Sequence, residues 1–289
     1  MNQPLIVIVG PTATGKSDLA IKIAESFNGE IVSADSWTIR RYMDIGTAKP
    51  SPALRNLVPH HLIDVIEPDE DFNVVEYKKL ALEAINSIHD KGKIPILVGG
   101  SGLYVDAVIY DYSFLPPGEA AERSRLNLMS LEDVQKIAII NGLDLSLIDE
   151  QNKRRVIRLI ESKGESARKS HLRDKTLIIG LQADYDVLKQ AIVNRVELMI
   201  EAGLEEEVRG LMLRYGWDIE ALKGIGYSEW RQYFSNKQTV DCTKDLIIRH
   251  TLALAKKQQT WFKRNKSIQW FITPVKYIDI VELITTFIE

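Results

Sequence analysis

The most constraining feature of this sequence is an eight-residue motif that follows a short apolar run near its start. The run from Leu5 to Val9 predicts a buried strand, and residues 17–27 carry apolar side chains at helical spacing. Between them the pattern G-x-x-x-x-G-K-[ST] is matched by Gly10, Pro11, Thr12, Ala13, Thr14, Gly15, Lys16 and Ser17. Such a turn points backbone amides at an anion, while Lys16 adds charge and Ser17 offers a hydroxyl to Mg²⁺. The motif predicts a phosphate site without identifying the phosphate.

The order of strand and helix patterns predicts a parallel sheet. Strand-like runs lie at 5–9, 31–34, 94–98, 177–181 and 268–272. Helical patterns lie at 17–27, 74–88, 131–140, 153–161, 187–200, 205–214 and 244–262. Strand signals weaken after the turn at Leu115-Pro116-Pro117-Gly118 and return near residue 177. We expect an α/β fold, with a P-loop-type parallel sheet core and flanking helices at 1–114 and 174–289 and a small inserted helical domain at 115–173.

Charge and cysteine content exclude several classes of protein. The net charge of −3 over 289 residues means that any nucleic-acid role must rest on local patches. A single cysteine, Cys242, excludes an internal disulfide and a multi-thiolate zinc site, and it is typical of a reducing cytoplasm. No apolar run reaches membrane-spanning length, so we expect no membrane partner. We interpret His60 and His61 as packing residues of their loop.

Two further strand ends carry polar or glycine-rich segments. Asp35 follows the second strand at the edge where open α/β sheets bind ligands. It could cap the next turn. In a kinase it could bind metal or activate an acceptor hydroxyl, and in another enzyme it could act as a general base. Residues 44–50 have no periodicity and suit a site loop. The third strand runs into Gly99-Gly100-Ser101-Gly102, where Ser101 would face the crevice of the phosphate loop.

These segments together resemble the tRNA dimethylallyltransferases, also called tRNA isopentenyltransferases. The matching segments, in family order over nearly the whole chain, are Gly10–Ser17, Ser33–Ser36, Asp44–Pro50, Pro59–Val65, Val98–Tyr104, Arg154–Glu161, Ala202–Val208, Gly224–Trp230 and Ala255–Phe262. DIGTAKP and GGSGLY after a phosphate loop are highly specific together.

The resemblance implies transfer of a dimethylallyl group from dimethylallyl diphosphate to the exocyclic amine of the adenosine 3′ to the anticodon. Lys16 and the loop amides would hold the diphosphate, Ser17 would reach Mg²⁺, and Asp35 would be the base. Ser101 stands where the family usually has threonine and keeps its hydroxyl near the reacting centre. The implied partners are the tRNA anticodon stem-loop and dimethylallyl diphosphate, with a cytoplasmic monomer as the expected form. The implied tRNA-binding residues are Asp35, Ser36, Trp37, Thr38, Ser101, Arg123, Arg154, Arg155, Arg158, Lys223 and Tyr227.

Two local basic stretches, 153–175 and 246–267, suit binding to the tRNA. A charge run is usually a solvated face, but with this resemblance phosphate contacts become the better interpretation. Tyr227 could stack on a base or be a half-buried core aromatic.

The chain also departs from the family pattern. Thr38 and Arg40 replace a frequent glutamine and tyrosine at positions that the resemblance sets beside the substrate base. Leu252 and Lys257 stand where arginine is common, and the insertion is shorter than usual.

Three alternatives remain open at this point. A small-molecule or nucleotide kinase would use the phosphate loop and Asp35 but leaves the basic stretches without a role. Prenyl transfer to free adenylate would need no RNA surface. An RNA-binding module with a vestigial loop would need no Lys16.

Overall fold

The computed structural model describes residues 3–116, 118–165 and 167–289. Its centre is a sheet of six parallel strands in the order β3-β2-β4-β1-β5-β6. The strands are β1 (Leu5–Val9), β2 (Gly29–Ser33), β3 (His60–His61), β4 (Ile94–Gly99), β5 (Thr176–Gln182) and β6 (Ile268–Ile272). The predicted α/β fold class is therefore confirmed.

Twelve α-helices lie within the described residues. They are α1 (Lys16–Ser26), α2 (Pro52–Leu57), α3 (Val74–Asp90), α4 (Gly102–Ile109), α5 (Ala120–Leu128), α6 (Leu131–Ile140), α7 (Lys153–Glu161), α8 (Tyr185–Glu201), α9 (Leu204–Tyr215), α10 (Trp230–Phe234), α11 (Val240–Phe262) and α12 (Tyr277–Ile288). Over those same residues, no helix is both long and apolar enough to cross a bilayer.

The sheet is buried because its strands are apolar on both faces, as parallel strands require. All five residues of β1 are buried. Ile6 and Ile8 share one apolar cluster with α1 and α12, through residues such as Ile23 and Ile280. A second cluster joins α8, α9 and α11 to the loop residue Met43. Because these strands are parallel, the carboxyl ends of β1, β2 and β4 lie along one edge of the sheet.

The chain forms two compact units. The larger combines Met1–Ile109 with Leu172–Glu289, and the smaller is Tyr110–His171. The smaller unit has its own apolar cluster, built from α5, α6 and α7. This unit begins before residue 115, the predicted start of the insertion. Ser113 already belongs to it, because Ser113 and Arg168 pair as an antiparallel bridge with N–H···O distances of 2.9 and 3.2 Å. Pro117, part of the turn noted above, lies outside the described residues.

Candidate functional site

The phosphate loop connects β1 to α1 through backbone conformations that need glycine. Gly10 has φ 142°, and a Cβ there would come within 2.3 Å of the Leu181 carbonyl oxygen. Gly15, with φ 79°, is the N-cap of α1. Inside the loop, the Thr14 hydroxyl and the Lys16 ammonium both donate to the Pro11 carbonyl, at 2.9 and 2.5 Å. The sequence therefore closes this loop on itself at the N-terminus of a helix.

The loop leaves a run of backbone amides available to an anion. Among the described residues, no acceptor is found for the backbone N–H groups of Ala13, Gly15, Lys16 and Ser17. Thr12 differs, because its N–H donates to the Gln258 side-chain oxygen at 2.8 Å. Four such amides at a helix N-terminus form a cradle for a phosphate group.

The carboxylate expected at the second strand end lies two residues beyond β2. One oxygen of Asp35 accepts the Trp37 N–H at 2.8 Å, which fixes the turn. The Ser101 N–H donates to the Ala34 carbonyl at 3.2 Å, and the Ser101 hydroxyl accepts the Ser36 N–H at 3.2 Å. Asp35 thus caps a turn, as one alternative predicted, and Ser101 ties that turn to the end of β4.

These elements surround a cavity of about 330 Å³ within the larger unit. From the predicted site it brings together Thr12, Lys16, Ser17, Asp35, Trp37, Thr38 and Lys223. Ser36 and Ser101 are not among its lining residues, although they hold the turn that carries Asp35. Apolar side chains such as Ile63, Val98, Met199 and Leu254 supply much of the remaining wall. The cavity therefore joins a phosphate cradle and a carboxylate to an apolar surface.

A half-buried arginine, which the sequence motifs did not reveal, completes the charge arrangement. Arg195 on α8 lines the cavity and donates to the Thr47 carbonyl at 3.4 Å. Burial lowers the pKa of Arg195, and the Asp35 carboxylate opposes that shift. Burial, and then the positive charge of Arg195, lower the pKa of Lys16 to about 7, against the opposing effect of Asp35. Lys16, Arg195 and Lys223 therefore share this cavity with the Asp35 carboxylate.

The loop at 44–50 is fixed by one carboxylate on α9. Glu207 accepts the backbone N–H groups of Asp44, Ile45 and Gly46 at 2.8, 2.7 and 3.0 Å. It also accepts the Tyr227 hydroxyl at 2.7 Å. Because Thr47, Ala48 and Pro50 of the same loop line the cavity, Glu207 sets one of its walls.

Tyr227 corrects one prediction. Its side chain is 1% exposed, and a Cβ on Gly46 would meet its ring at 2.5 Å. Burial, and then the Glu207 carboxylate, raise the pKa of Tyr227 well above its ordinary value. The interpretation of Tyr227 as a base-stacking residue is therefore wrong, and the alternative of a core aromatic holds.

The two departures at positions 38 and 40 have different surroundings. The Thr38 hydroxyl lies 2.9 Å from that of Ser33 and lines the cavity. The Arg40 guanidinium is buried and donates to the Pro68 and Glu70 carbonyls at 3.0 and 2.8 Å. Arg40 thus anchors the loop at 67–70, and Thr38 leaves a shorter side chain on the cavity wall.

The histidines at the sheet edge make structural hydrogen bonds. His60 Nδ1 lies 2.7 Å from the Val58 carbonyl, and His61 Nε2 lies 2.7 Å from the Glu30 carboxylate. These bonds hold the edge of the sheet, and His60 also lines the cavity.

In the smaller unit, the predicted RNA-binding arginines fall into two groups. Arg123 forms a two-pronged ion pair with Glu161, with both distances at 2.5 Å. Arg158 donates to the Leu115 and Pro116 carbonyls at 2.7 and 2.9 Å. Arg154 and Arg155, on the first turn of α7, are exposed. Arg123, Arg154 and Arg155 are thus exposed, whereas Arg158 is half-buried.

Comparisons with known proteins agree on one family. A sequence model of the IPP transferase family matches residues 38–265. The tRNA dimethylallyltransferase of Pelotomaculum thermopropionicum is 40% identical over 93% of this chain and 90% of its own length. That of Geobacillus thermodenitrificans is 38% identical over 100% of this chain and 97% of its own length.

Solved structures give the same picture. The tRNA isopentenylpyrophosphate transferase of Bacillus halodurans is 35% identical, with a TM-score of 0.77 over 99% of this chain and 97% of that chain. A eukaryotic dimethylallyltransferase, at 23% identity and a TM-score of 0.83, shares the fold.

Proposed function

The chain belongs to the IPP transferase family, and we propose that it transfers a dimethylallyl group from dimethylallyl diphosphate to tRNA. The acceptor is the exocyclic amine of the adenosine 3′ to the anticodon, and the products are N6-dimethylallyladenosine and diphosphate. The observation that carries this proposal is that one cavity holds the phosphate loop, Lys16 and Asp35 beside apolar walls. A phosphate loop alone would also suit a kinase, but that alternative is not favoured, because the relatives are named as prenyl transferases.

The phosphate loop would receive the negative charge that develops on the leaving diphosphate. Breaking the allylic C–O bond leaves positive charge on the allyl carbons and negative charge on the diphosphate. The loop amides, Lys16 and Arg195 would all act on that second charge. Preorganised donors of this kind usually supply the largest single contribution to catalysis.

The donor set fits Mg²⁺ bound together with the substrate. Mg²⁺ commonly keeps several waters and binds through one or two protein oxygens and substrate phosphates. The Ser17 hydroxyl is exposed on the cavity wall and is the oxygen that would hold it. When bound, the ion would neutralise charge on the diphosphate.

Asp35 would remove the proton from the attacking amine. The adenine amine is a weak nucleophile, and a general base contributes about 10²–10⁴-fold. The turn held by Trp37 and Ser101 fixes the carboxylate at the cavity. Apolar walls would keep water from the allyl cation, and the adenosine must leave its stack to enter.

The RNA would be held by surface cations. Arg154 and Arg155 are exposed on α7, and Lys223 lines the cavity. We also propose a cytoplasmic location and a monomeric form for the enzyme.

The test is label transfer to an anticodon stem-loop from labelled dimethylallyl diphosphate with Mg²⁺. For Asp35→Asn we expect turnover to fall by about 10²-fold or more, with stem-loop affinity near normal. Asparagine keeps the oxygen that accepts the Trp37 N–H, so the turn stays formed.

Asp90→Asn, which makes the same charge change at an exposed side chain at the end of α3, is the control. No label in RNA from the unaltered protein would defeat the proposal. Full turnover by Asp35→Asn would remove Asp35 as the base.

A further inference from the structure

Helix α11 contacts two segments of the site through one side chain. The Gln258 side-chain oxygen accepts the Thr12 N–H of the phosphate loop at 2.8 Å. Its side-chain nitrogen faces Gly100, where an added Cβ would lie 2.3 Å from it. Gln258 therefore lies between the phosphate loop and the residue that precedes Ser101.

One turn later, Trp261 extends this contact. Its ring approaches Gly102 so closely that a Cβ there would lie 2.3 Å from it. The indole N–H donates to the Asp106 carboxylate at 3.2 Å, which ties α11 to α4. The two glycines on either side of Ser101 are thus explained by the two α11 side chains that pack on them.

We propose that Gln258 is a positioning residue that sets the distance between the diphosphate cradle and the Asp35–Ser101 edge. The inference rests on the proposed function, because it concerns the same cavity. The cradle amides of residues 13–17 do not contact Gln258, whereas the next residue in the loop, Thr12, does. On the other side, Ser101 is bonded to Ala34 and Ser36, the neighbours of Asp35. Gln258 therefore fixes one catalytic segment relative to the other.

This arrangement separates the effect on binding from the effect on turnover. Diphosphate binding depends on the cradle amides and the cations, which stay in place when Gln258 is changed. Transfer depends on the alignment of the allyl carbon with the acceptor amine. Misplacement by about 1 Å can cost about 10²-fold in rate.

The first test replaces the amide while keeping the length of the side chain. For Gln258→Met we expect kcat to fall about 10- to 100-fold, while pyrophosphate affinity measured by calorimetry changes less than about 3-fold. Gln259→Met, on the neighbouring helix position, is the matched control. Equal kcat for Gln258→Met and the unaltered protein would overturn the inference, as would a loss of pyrophosphate binding equal to the loss of kcat.

The second test uses Gly100. A methyl group at this position pushes the flexible end of Gln258 away from Thr12, so Gly100→Ala should reproduce the loss of kcat. The double variant should then lose no more than either single variant, because both remove the same bond. Additive losses would contradict the inference.

The two proposals fail in different ways. If the unaltered protein prenylates RNA and the variants match it, only the role of Gln258 is lost. If the unaltered protein transfers no label, the proposed function fails.

Discussion

Lys16 shows how the cavity sets the charge of its own residues. Burial and Arg195 lower its pKa to about 7, so in the empty site this side chain is half protonated near neutral pH. A bound diphosphate stabilises the protonated form and raises the pKa again. Diphosphate binding is therefore linked to proton uptake by Lys16.

This linkage predicts the sign of a pH effect. Below pH 7 Lys16 already carries its proton. As pH rises from 7 to 9, the empty protein loses that proton, and pyrophosphate affinity should fall by up to about tenfold per unit. Calorimetry of pyrophosphate binding across this range measures the slope.

Lys16→Arg is the control, because arginine stays protonated throughout and leaves only the titration of the ligand itself. Equal slopes for the two proteins would show that Lys16 does not titrate in this range.

Among individual residues, the sequence motifs identified those of the phosphate loop but gave no indication of Arg195. Glycine, lysine and serine at fixed spacing report a phosphate loop, because the backbone itself demands them. Arg195 carries no motif; its one signal is its position on the apolar stripe of α8, beside Ile192, Val196 and Met199, which are buried. Tyr227 was ambiguous because an aromatic ring suits a core and a stacking surface equally well.

Among the elements, α9 supports one wall of the cavity through a single side chain. Glu207 accepts three successive amides of the 44–46 segment and one hydroxyl. One carboxylate with four donors fixes a loop that has no regular secondary structure of its own. The loop sequence DIGTAKP therefore depends on a glutamate some 160 residues away for its conformation.

Removing that carboxylate should loosen the loop selectively. For Glu207→Ala we expect a loss of about 2–3 kcal/mol in the free energy of unfolding, since hydrogen bonds to charged groups contribute about 1.5–3 kcal/mol each and water restores part of them. Faster hydrogen exchange at the amides of residues 44–46 is the specific measurement.

Tyr227→Phe is the matched comparison, because it removes one of the four donors and leaves the amides bound. We expect a loss of about 1 kcal/mol and little change in exchange at 44–46. Similar exchange rates in both variants would contradict the role given to Glu207.

The regular elements were largely predictable, and their exceptions have physical reasons. All five strand-like runs are strands, because continuous branched apolar runs suit buried parallel strands. β3 has two residues and no periodicity, so pattern alone could not identify it. α4 begins at Gly102, within the glycine-rich segment, where the sequence reads as a turn.

On the scale of the whole molecule, the net charge conceals where the cations lie. The total of −3 arises because acidic segments balance basic ones. In the smaller unit, Arg123, Arg125 and Lys136 are each paired with an acidic neighbour. Arg154 and Arg155 are exposed on the first turn of α7. Composition alone could not locate these pairs and exposed positions, because they depend on which side chains the fold brings together.

The salt dependence of RNA binding tests whether the first turn of α7 contacts RNA phosphates. Each phosphate contact contributes about 0.7–0.9 to the slope of log affinity against log salt. For Arg154→Ala with Arg155→Ala we expect weaker stem-loop binding and a slope smaller by between about one and two. Arg125→Ala with Lys136→Ala makes the same charge change in the same unit on α5 and α6, and its slope should stay near that of the unaltered protein. Binding titrations at several salt concentrations give the slopes. If both pairs reduced the slope equally, only overall charge would matter, and α7 would have no special part in holding RNA.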